Sequence, residues 1–229
     1  YRKLAQIANI FKPKVIAIES KELYPKLKEL ILDKNITILA GKNGVLEAAS
    51  HEVDITISAI TGINGLLPTI EAIKSSKLIG LANKESMVCA GNLINKLAKN
   101  HNTIIIPLDS EHNSIFRTFD FDNANSISRI ILTASGGPFL NNSVNELENI
   151  TPKQALKHPT WNMGPKISID SATMMNKALE IIEAFYLFPV KKKNIDVVIH
   201  PQSIVHSLVH YVDGSVKSLM SLPDMRTSI

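Results

Sequence analysis

The chain has 229 residues, more than one average domain and fewer than two at roughly 150 residues each. Hydrophobic residues make up 45% and charged residues 20%, ordinary globular usage that excludes a disordered or fibrous chain. Twenty-five Lys+Arg against 21 Asp+Glu leave +4, spread along the sequence except at Lys191-Lys192-Lys193, which reads as a solvated loop and not a nucleic-acid patch. The single cysteine, Cys89, excludes an internal disulfide and a cysteine-based zinc site. No apolar run reaches the ~18–20 residues of a membrane span and no signal peptide opens the chain, so the expectation is a soluble intracellular protein without a membrane or nucleic-acid partner.

Leu4, Ile7, Ala8 and Phe11 already fall at helical spacing, so the sequence enters partway through a helix. It closes on Pro223–Ile229 without capping residues, and the expectation is a piece of a longer chain. From Lys14 to Glu111 short apolar runs (Val15–Ile18, Ile36–Leu39, Ile55–Ser58, Leu78–Leu81, Thr103–Ile106) alternate with amphipathic segments such as Leu23–Leu32 and Met87–Leu97. Strands buried on both faces lose their polar alternation, which predicts an α/β fold with a doubly wound parallel sheet, binding ligands beyond the carboxyl ends of its strands. Those ends carry Gly62-Ile63-Asn64-Gly65, Asn83-Lys84-Glu85 and Asp109-Ser110-Glu111.

Beyond Ser114 the texture becomes α+β. Ile130–Thr133 predicts a strand entering Ala134-Ser135-Gly136-Gly137-Pro138; a proline-bearing loop follows, then a helix from about Ser171 to Phe185. Val197–Ile199, Ser203–Val212 and Ser215–Leu222 read as strands, the last two a hairpin about Asp213-Gly214. A domain boundary is placed at Pro107, giving units of 1–107 and 108–229.

If the strand ran through Asp109-Ser110-Glu111, positions two apart would share a face and pair two carboxylates, a hard-oxygen site for Mg²⁺ or Mn²⁺; the alternative is a solvated strand end and helix N-cap leading into His112. On the following helix Met174, Ala178, Ile181, Ile182 and Phe185 form an apolar stripe, and Thr173, Asn176, Lys177 and Glu180 a polar face. Ser171 at the helix start, with Asn176 and Lys177, suits a phosphate, and Glu180 a third metal ligand; the alternative is a solvent face with a Lys177–Glu180 pair. Ser135-Gly136-Gly137 is either an oxyanion cradle or a tight turn, and without G-x-S-x-G acyl-enzyme chemistry is rejected. Trp161, the only Trp, sits in a loop bounded by Pro159 and Gly164, as a lid or a domain contact. His206 and His210 lie four apart on a strand pattern, so the helical zinc motif does not apply; either is near a site or a satisfied core histidine.

Taken together, Leu81-Ala82-Asn83-Lys84-Glu85-Ser86, Pro107-Leu108-Asp109-Ser110-Glu111-His112-Asn113, Ala134–Phe139, His158-Pro159-Thr160-Trp161-Asn162-Met163-Gly164, Ser168–Lys177, His200-Pro201-Gln202-Ser203 and Pro223–Arg226 resemble the 1-deoxy-D-xylulose 5-phosphate reductoisomerase family, in its bacterial form and not the plastid one. The resemblance implies a Rossmann-like NADPH-binding domain, a catalytic domain whose sheet forms a homodimer, a cytoplasmic location, and a glycine-rich loop and helical domain outside this sequence. It implies Asp109, Glu111 and Glu180 as ligands of Mg²⁺, Mn²⁺ or Co²⁺. Lys84, Ser110 and Glu111 would meet the oxygenated carbons of a sugar phosphate. Ser135, His158, Ser171, Asn176 and Lys177 would hold it, several of them around the phosphate. Asn83, Glu85, Gly164 and Met225 would contact NADPH, and the catalytic set would be Lys84, Glu111, His158, Trp161 and His206, with Trp161 on the lid.

The implied reaction is a metal-assisted rearrangement by retro-aldol cleavage and re-addition, then reduction of the resulting aldehyde by NADPH to 2-C-methyl-D-erythritol 4-phosphate. The rival readings are another two-domain NAD(P) dehydrogenase of semialdehyde or homoserine type, and a metal-dependent phosphosugar aldolase without redox chemistry.

Overall fold

The structure, a computed structural model, describes residues 1–161 and 163–229; Asn162, quoted above within the Trp161 motif, lies outside the described residues. After α1 (Arg2–Phe11) come β1 (Val15–Ile18), α2 (Tyr24–Leu30), β2 (Thr37–Ala40), α3 (Gly41–Ala49), β3 (Val53–Ser58), α4 (Leu66–Ser75), β4 (Ser76–Leu81), α5 (Lys84–His101) and β5 (Ile104–Pro107). All pairings among these strands are parallel, as the continuous apolar runs predict, but they fall into two hydrogen-bonded sheets, β1-β2 and β3-β4-β5, instead of the one expected sheet. β4, central in its sheet, buries Ile79 and Leu81 almost completely, whereas β3 is an edge strand with Val53, Ile55 and Ile57 exposed at alternate positions.

Then follow α6 (Ser110–Thr118), β6 (Ile127–Ala134), α7 (Val144–Leu147), α8 (Pro152–Ala155), α9 (Pro165–Ala172), α10 (Met175–Leu187), β7 (Ile195–Ile199), β8 (Val205–Tyr211) and β9 (Val216–Met220). The four strands form one mixed sheet of order β7-β6-β8-β9, with β6-β7 parallel and the other pairs antiparallel. The β8-β9 hairpin turns at Asp213-Gly214, where Gly214 takes φ +87° and donates to the Tyr211 carbonyl. Ile115 of α6, Phe119 just beyond its end and Ala184 of α10 pack on Ile130, Leu132 and Val209 of the sheet, joined by Phe188. That packing brings the first turns of α6 and α10 together beside the carboxyl end of β6.

Three expectations require correction. The strand ends at Pro107 and the chain turns directly into α6, so Asp109 and Glu111 do not share a strand face; Asp109 is the residue before the helix and Glu111 lies in its first turn. The helix expected from Ser171 to Phe185 is two helices: α9 ends at Ala172, Met174 takes a left-handed φ of 60°, and α10 starts at Met175. Ser171 therefore closes one helix and does not open the next. The buried side of α10 is its polar one: Lys177, Glu180 and Glu183 are buried with Ala184, while Met174 and Ile182 of the expected apolar stripe are exposed.

α5 joins the two halves. Asn83 caps it, accepting from the Ser86 N–H at 2.9 Å, and its axis breaks at Ala90 (φ −143°). One residue on, a Cβ at Gly91 would lie 2.3 Å from the Tyr186 ring, so only glycine admits this approach of α10. Asn95 Nδ2 adds a 2.8 Å bond to the Tyr186 carbonyl.

Candidate active site

A cavity of about 300 Å³ opens between the N-termini of α5, α6 and α10 and the loop after β6. Every residue expected to bind metal or substrate lines it: Asp109, Ser110, Glu111 and Lys84; Ser135 and His158; Ser171, Asn176, Lys177 and Glu180. Trp161, His206, Gly164 and Met225 line it as well. Asn83 and Glu85 do not. The Asn83 amide is fully engaged, donating to the Ile60 and Gly62 carbonyls at 2.6 and 2.8 Å while capping α5. Glu85 pairs with Lys166, which also holds Asp170, both at 2.6 Å; burial raises the Glu85 pKa, but that lysine outweighs it and the net shift is downward.

Two ammonium groups lie among the three carboxylates. Lys84 Nζ is 2.5 Å from Asp109 Oδ2 and 3.1 Å from Glu180 Oε1. Lys177 Nζ is 2.8 Å from Glu111 Oε1 and 2.5 Å from Glu180 Oε2, so Glu180, 1% exposed, bridges both lysines. Asn176 completes the ring, accepting from Lys84 at 2.9 Å and donating to Glu180. Burial disfavours both ammonium charges, yet the carboxylates win and raise the pKa of each lysine: chiefly Asp109 and Glu180 at Lys84, Glu111 and Glu180 at Lys177. The Glu111 carboxyl is likewise pushed up by burial, but Lys177 and Lys84, with the Ser110 hydroxyl at 2.7 Å, bring it down to about 2.

All the carboxylate oxygens are hard donors suited to Mg²⁺ or Mn²⁺, and Asp109 Oδ2 is buried with only the Lys84 ammonium, itself a cation, against it, so the donor set fits a divalent cation. Among the described residues, the acid and imidazole atoms gathered most closely, within 4.8 Å of one another, belong instead to Asp109, His112 and Glu183. Neither His112 nor Glu183 was singled out as a site residue from sequence. Both are buried; His112 Nε2 meets the Glu180 carbonyl at 2.9 Å and Nδ1 faces Glu183 at 3.4 Å. Burial, with Asp109 and Glu180 nearby, raises the Glu183 carboxyl to about 7 against the pull of His112 and Lys84. The signal in the sequence was spacing: Asn176, Lys177, Glu180, Glu183 and Ala184 recur at three and four residues.

On the opposite wall His158 Nδ1 accepts the backbone N–H groups of Thr160 and Trp161 at 3.1 and 2.9 Å. Burial holds this imidazole below its usual pKa, so near neutral pH its one ring proton sits on Nε2 and is donated to Ser135 Oγ at 2.9 Å. Ser135 Oγ also accepts from the Gly137 N–H at 3.2 Å, leaving its hydroxyl hydrogen free for the cavity. Gly136 and Gly137 take φ +85° and +70°, and a Cβ on Gly137 would meet the Ser171 carbonyl oxygen at 2.7 Å, so the double glycine permits both the turn and its approach to α9. His206, its pKa lowered by burial, bonds Ser221 Oγ at 2.7 Å. Ser203 and Thr133, neither named above as a site residue, also reach the wall; the Thr133 carbonyl accepts from Lys177.

Residues 1–91 match a family model described as 1-deoxy-D-xylulose 5-phosphate reductoisomerase, and residues 105–188 match one described as the C-terminal domain of that enzyme. The chain belongs to the 1-deoxy-D-xylulose 5-phosphate reductoisomerase family. Its relatives of that name include proteins from Acinetobacter baumannii, 46% identical over 240 residues, covering 99% of this chain and 60% of the relative, and from Protochlamydia amoebophila, 52% identical over 216 residues, covering 94% and 56%. The fold agrees with a crystal structure described as DOX-P reductoisomerase in complex with NADPH, fosmidomycin and magnesium: TM-score 0.94 at 46% identity, covering 99% of this chain and 59% of that one. A reductoisomerase from Zymomonas mobilis in complex with NADPH gives 0.91 at 44%, with the same coverage. The chain thus spans about 60% of the length of the curated relatives it matches.

Proposed function

We propose that this chain carries the catalytic centre for NADPH- and divalent-metal-dependent isomerisation and reduction of 1-deoxy-D-xylulose 5-phosphate to 2-C-methyl-D-erythritol 4-phosphate. The observation that carries the reading is the convergence of Asp109, Glu111 and Glu180 on one cavity that also presents Ser135, Ser171, Asn176 and Lys177. A cation among those oxygens would polarise the ketone and an adjacent hydroxyl of the substrate, and NADPH would supply the reducing equivalents. The chain's own residues do the positioning. Ser135 directs its free hydroxyl hydrogen at the phosphate, joined by Ser171, the Asn176 amide and Lys177, while Lys84, Ser110 and Glu111 stand where the oxygenated carbons would lie. Anchoring the phosphate away from the reacting carbons supplies binding energy for orientation. Trp161 covers the cavity from the loop that His158 pins through two backbone N–H groups, a lid excluding water. His158 and His206, kept neutral near pH 7 by burial, offer ring hydrogen bonds to the cavity wall without adding charge. Asn83 would shape the nucleotide side through the Ile60–Gly62 loop that it holds, Glu85 and Gly164 would flank the nucleotide, and Met225 would pack on the nicotinamide.

We further propose 1–107 as the nucleotide-binding unit and 108–229 as the catalytic unit, acting in the cytoplasm as a homodimer built through the β7-β6-β8-β9 sheet. Val198, Val216 and Met220, exposed on its edge strands, support that face as the contact. Among the described residues no helix is long and apolar enough to cross a membrane. The deciding assay is NADPH oxidation on adding the deoxyxylulose phosphate to the full-length protein, with and without chelator. Oxidation that survives the chelator would favour an ordinary dehydrogenase; carbon–carbon cleavage without oxidation, an aldolase.

A further inference from the structure

Lys177 is bound in a way that conflicts with holding a phosphate. Its three ammonium hydrogens have three acceptors, Glu111 Oε1 at 2.8 Å, Glu180 Oε2 at 2.5 Å and the Thr133 carbonyl at 2.5 Å, so no donor remains for an anion. A divalent cation would take the same carboxylate oxygens at ~2.1 Å, and an ammonium held about 3–4 Å from it in a buried site would be strongly repelled. Three carboxylates and two lysines sum to one negative charge; a dication with both ammoniums in place would reverse the sign of a buried cluster. One lysine must give way. Each lysine bonds two carboxylates and one neutral oxygen, Asn176 Oδ1 at 2.9 Å for Lys84 and the Thr133 carbonyl for Lys177; what separates them is that the Thr133 carbonyl stands two residues before Ser135, at the end of the cavity read as the phosphate side. Lys177 also sits in the first turn of α10 beside Asn176, and its four-carbon stem allows the ammonium to turn without backbone movement.

We propose that Lys177 is an exchangeable counter-ion, neutralising Glu111 and Glu180 until a divalent cation takes their oxygens and then turning to the substrate phosphate, so that cation and phosphate binding reinforce each other. This rests on the metal and phosphate reading above. Reciprocity requires the same factor in both directions.

The test measures Mn²⁺ binding by the resonance of the free aqueous ion and inorganic phosphate binding by calorimetry, on the full-length protein. Saturating Mn²⁺ should tighten phosphate by ~10-fold, and saturating phosphate should tighten Mn²⁺ equally. Lys177→Met should bind Mn²⁺ alone ~10-fold more tightly than wild type, with no response to phosphate. A variant that binds Mn²⁺ no better than wild type overturns the proposal. So does coupling that persists without Lys177, which would mean phosphate ligates the ion directly. If the variant does not fold, wild type decides, since independent binding of the two ligands refutes the exchange while leaving the metal site standing. A wild-type protein that binds no Mn²⁺ removes both readings.

Discussion

His158 Nε2 donates to Ser135 Oγ across 2.9 Å, and that bond fixes which hydrogen the serine offers the cavity. Because His158 Nδ1 already accepts two backbone N–H groups and Ser135 Oγ already accepts two donors, the arrangement has one free donor, the serine hydroxyl hydrogen. Ser135→Ala should raise KM for the sugar phosphate about tenfold with a smaller change in kcat, the loss of roughly one hydrogen bond to a charged group. His158→Asn should do more, because it also releases the Thr160 and Trp161 amides. Equal steady-state constants for wild type and Ser135→Ala would remove the serine from the phosphate site.

Glu180 bridges both lysines, so Glu180→Gln keeps its shape while taking away the charge on which they converge. Turnover that depends on Mn²⁺ should fall by about a hundredfold or more. The melting temperature should drop too, since weakening a buried ion pair costs about 3 kcal/mol. Wild-type turnover at saturating Mn²⁺ would end its assignment as a metal ligand.

Trp161→Ala removes the aromatic wall of the cavity and should weaken closure, raising KM and lowering kcat each by about tenfold. Kinetics identical to wild type would rule out the lid role.

Two carboxyls shape the dependence of stability on pH. Glu111, held near 2 by Lys177 and Lys84, contributes stability that is present above the ordinary glutamate range and is lost as pH falls toward 2. Glu183 has the opposite sign. Burial raises its pKa to about 7, so the folded protein holds the proton more tightly, and stability declines as pH rises from the ordinary glutamate range through 7. That decline is at most about 3 kcal/mol. From these two groups the melting temperature should peak at about pH 5, and Glu183→Gln should flatten the descending side. An unchanged slope in that variant would mean the decline originates elsewhere.

The strands were legible because burial on both faces leaves an apolar run that periodicity detects; the division into two sheets was not, since hydrogen-bond partners leave no mark on composition. Asp109 and Glu111 were legible as partners, but for a mistaken geometric reason: they enter the cavity through a strand-to-helix turn, not along a strand. The resemblance gathered residues that line one cavity, while Glu183 escaped because a glutamate on a polar stripe reads as solvent-facing. The break at Met174 was invisible for a different reason. Left-handed backbone favours glycine or asparagine, and Ser171-Ala172-Thr173-Met174-Met175 contains neither.

That break has a geometric consequence. In an uninterrupted helix Ser171 and Asn176, five positions apart, would be turned about 140° from each other and could not look into one chamber. The left-handed residue between α9 and α10 works like a crank joining two rods, swinging the serine's rod until both side chains front the same space. A β-branched residue at 174 would resist this torsion, so an isoleucine there should uncouple the two rods without altering any atom that meets the ligand.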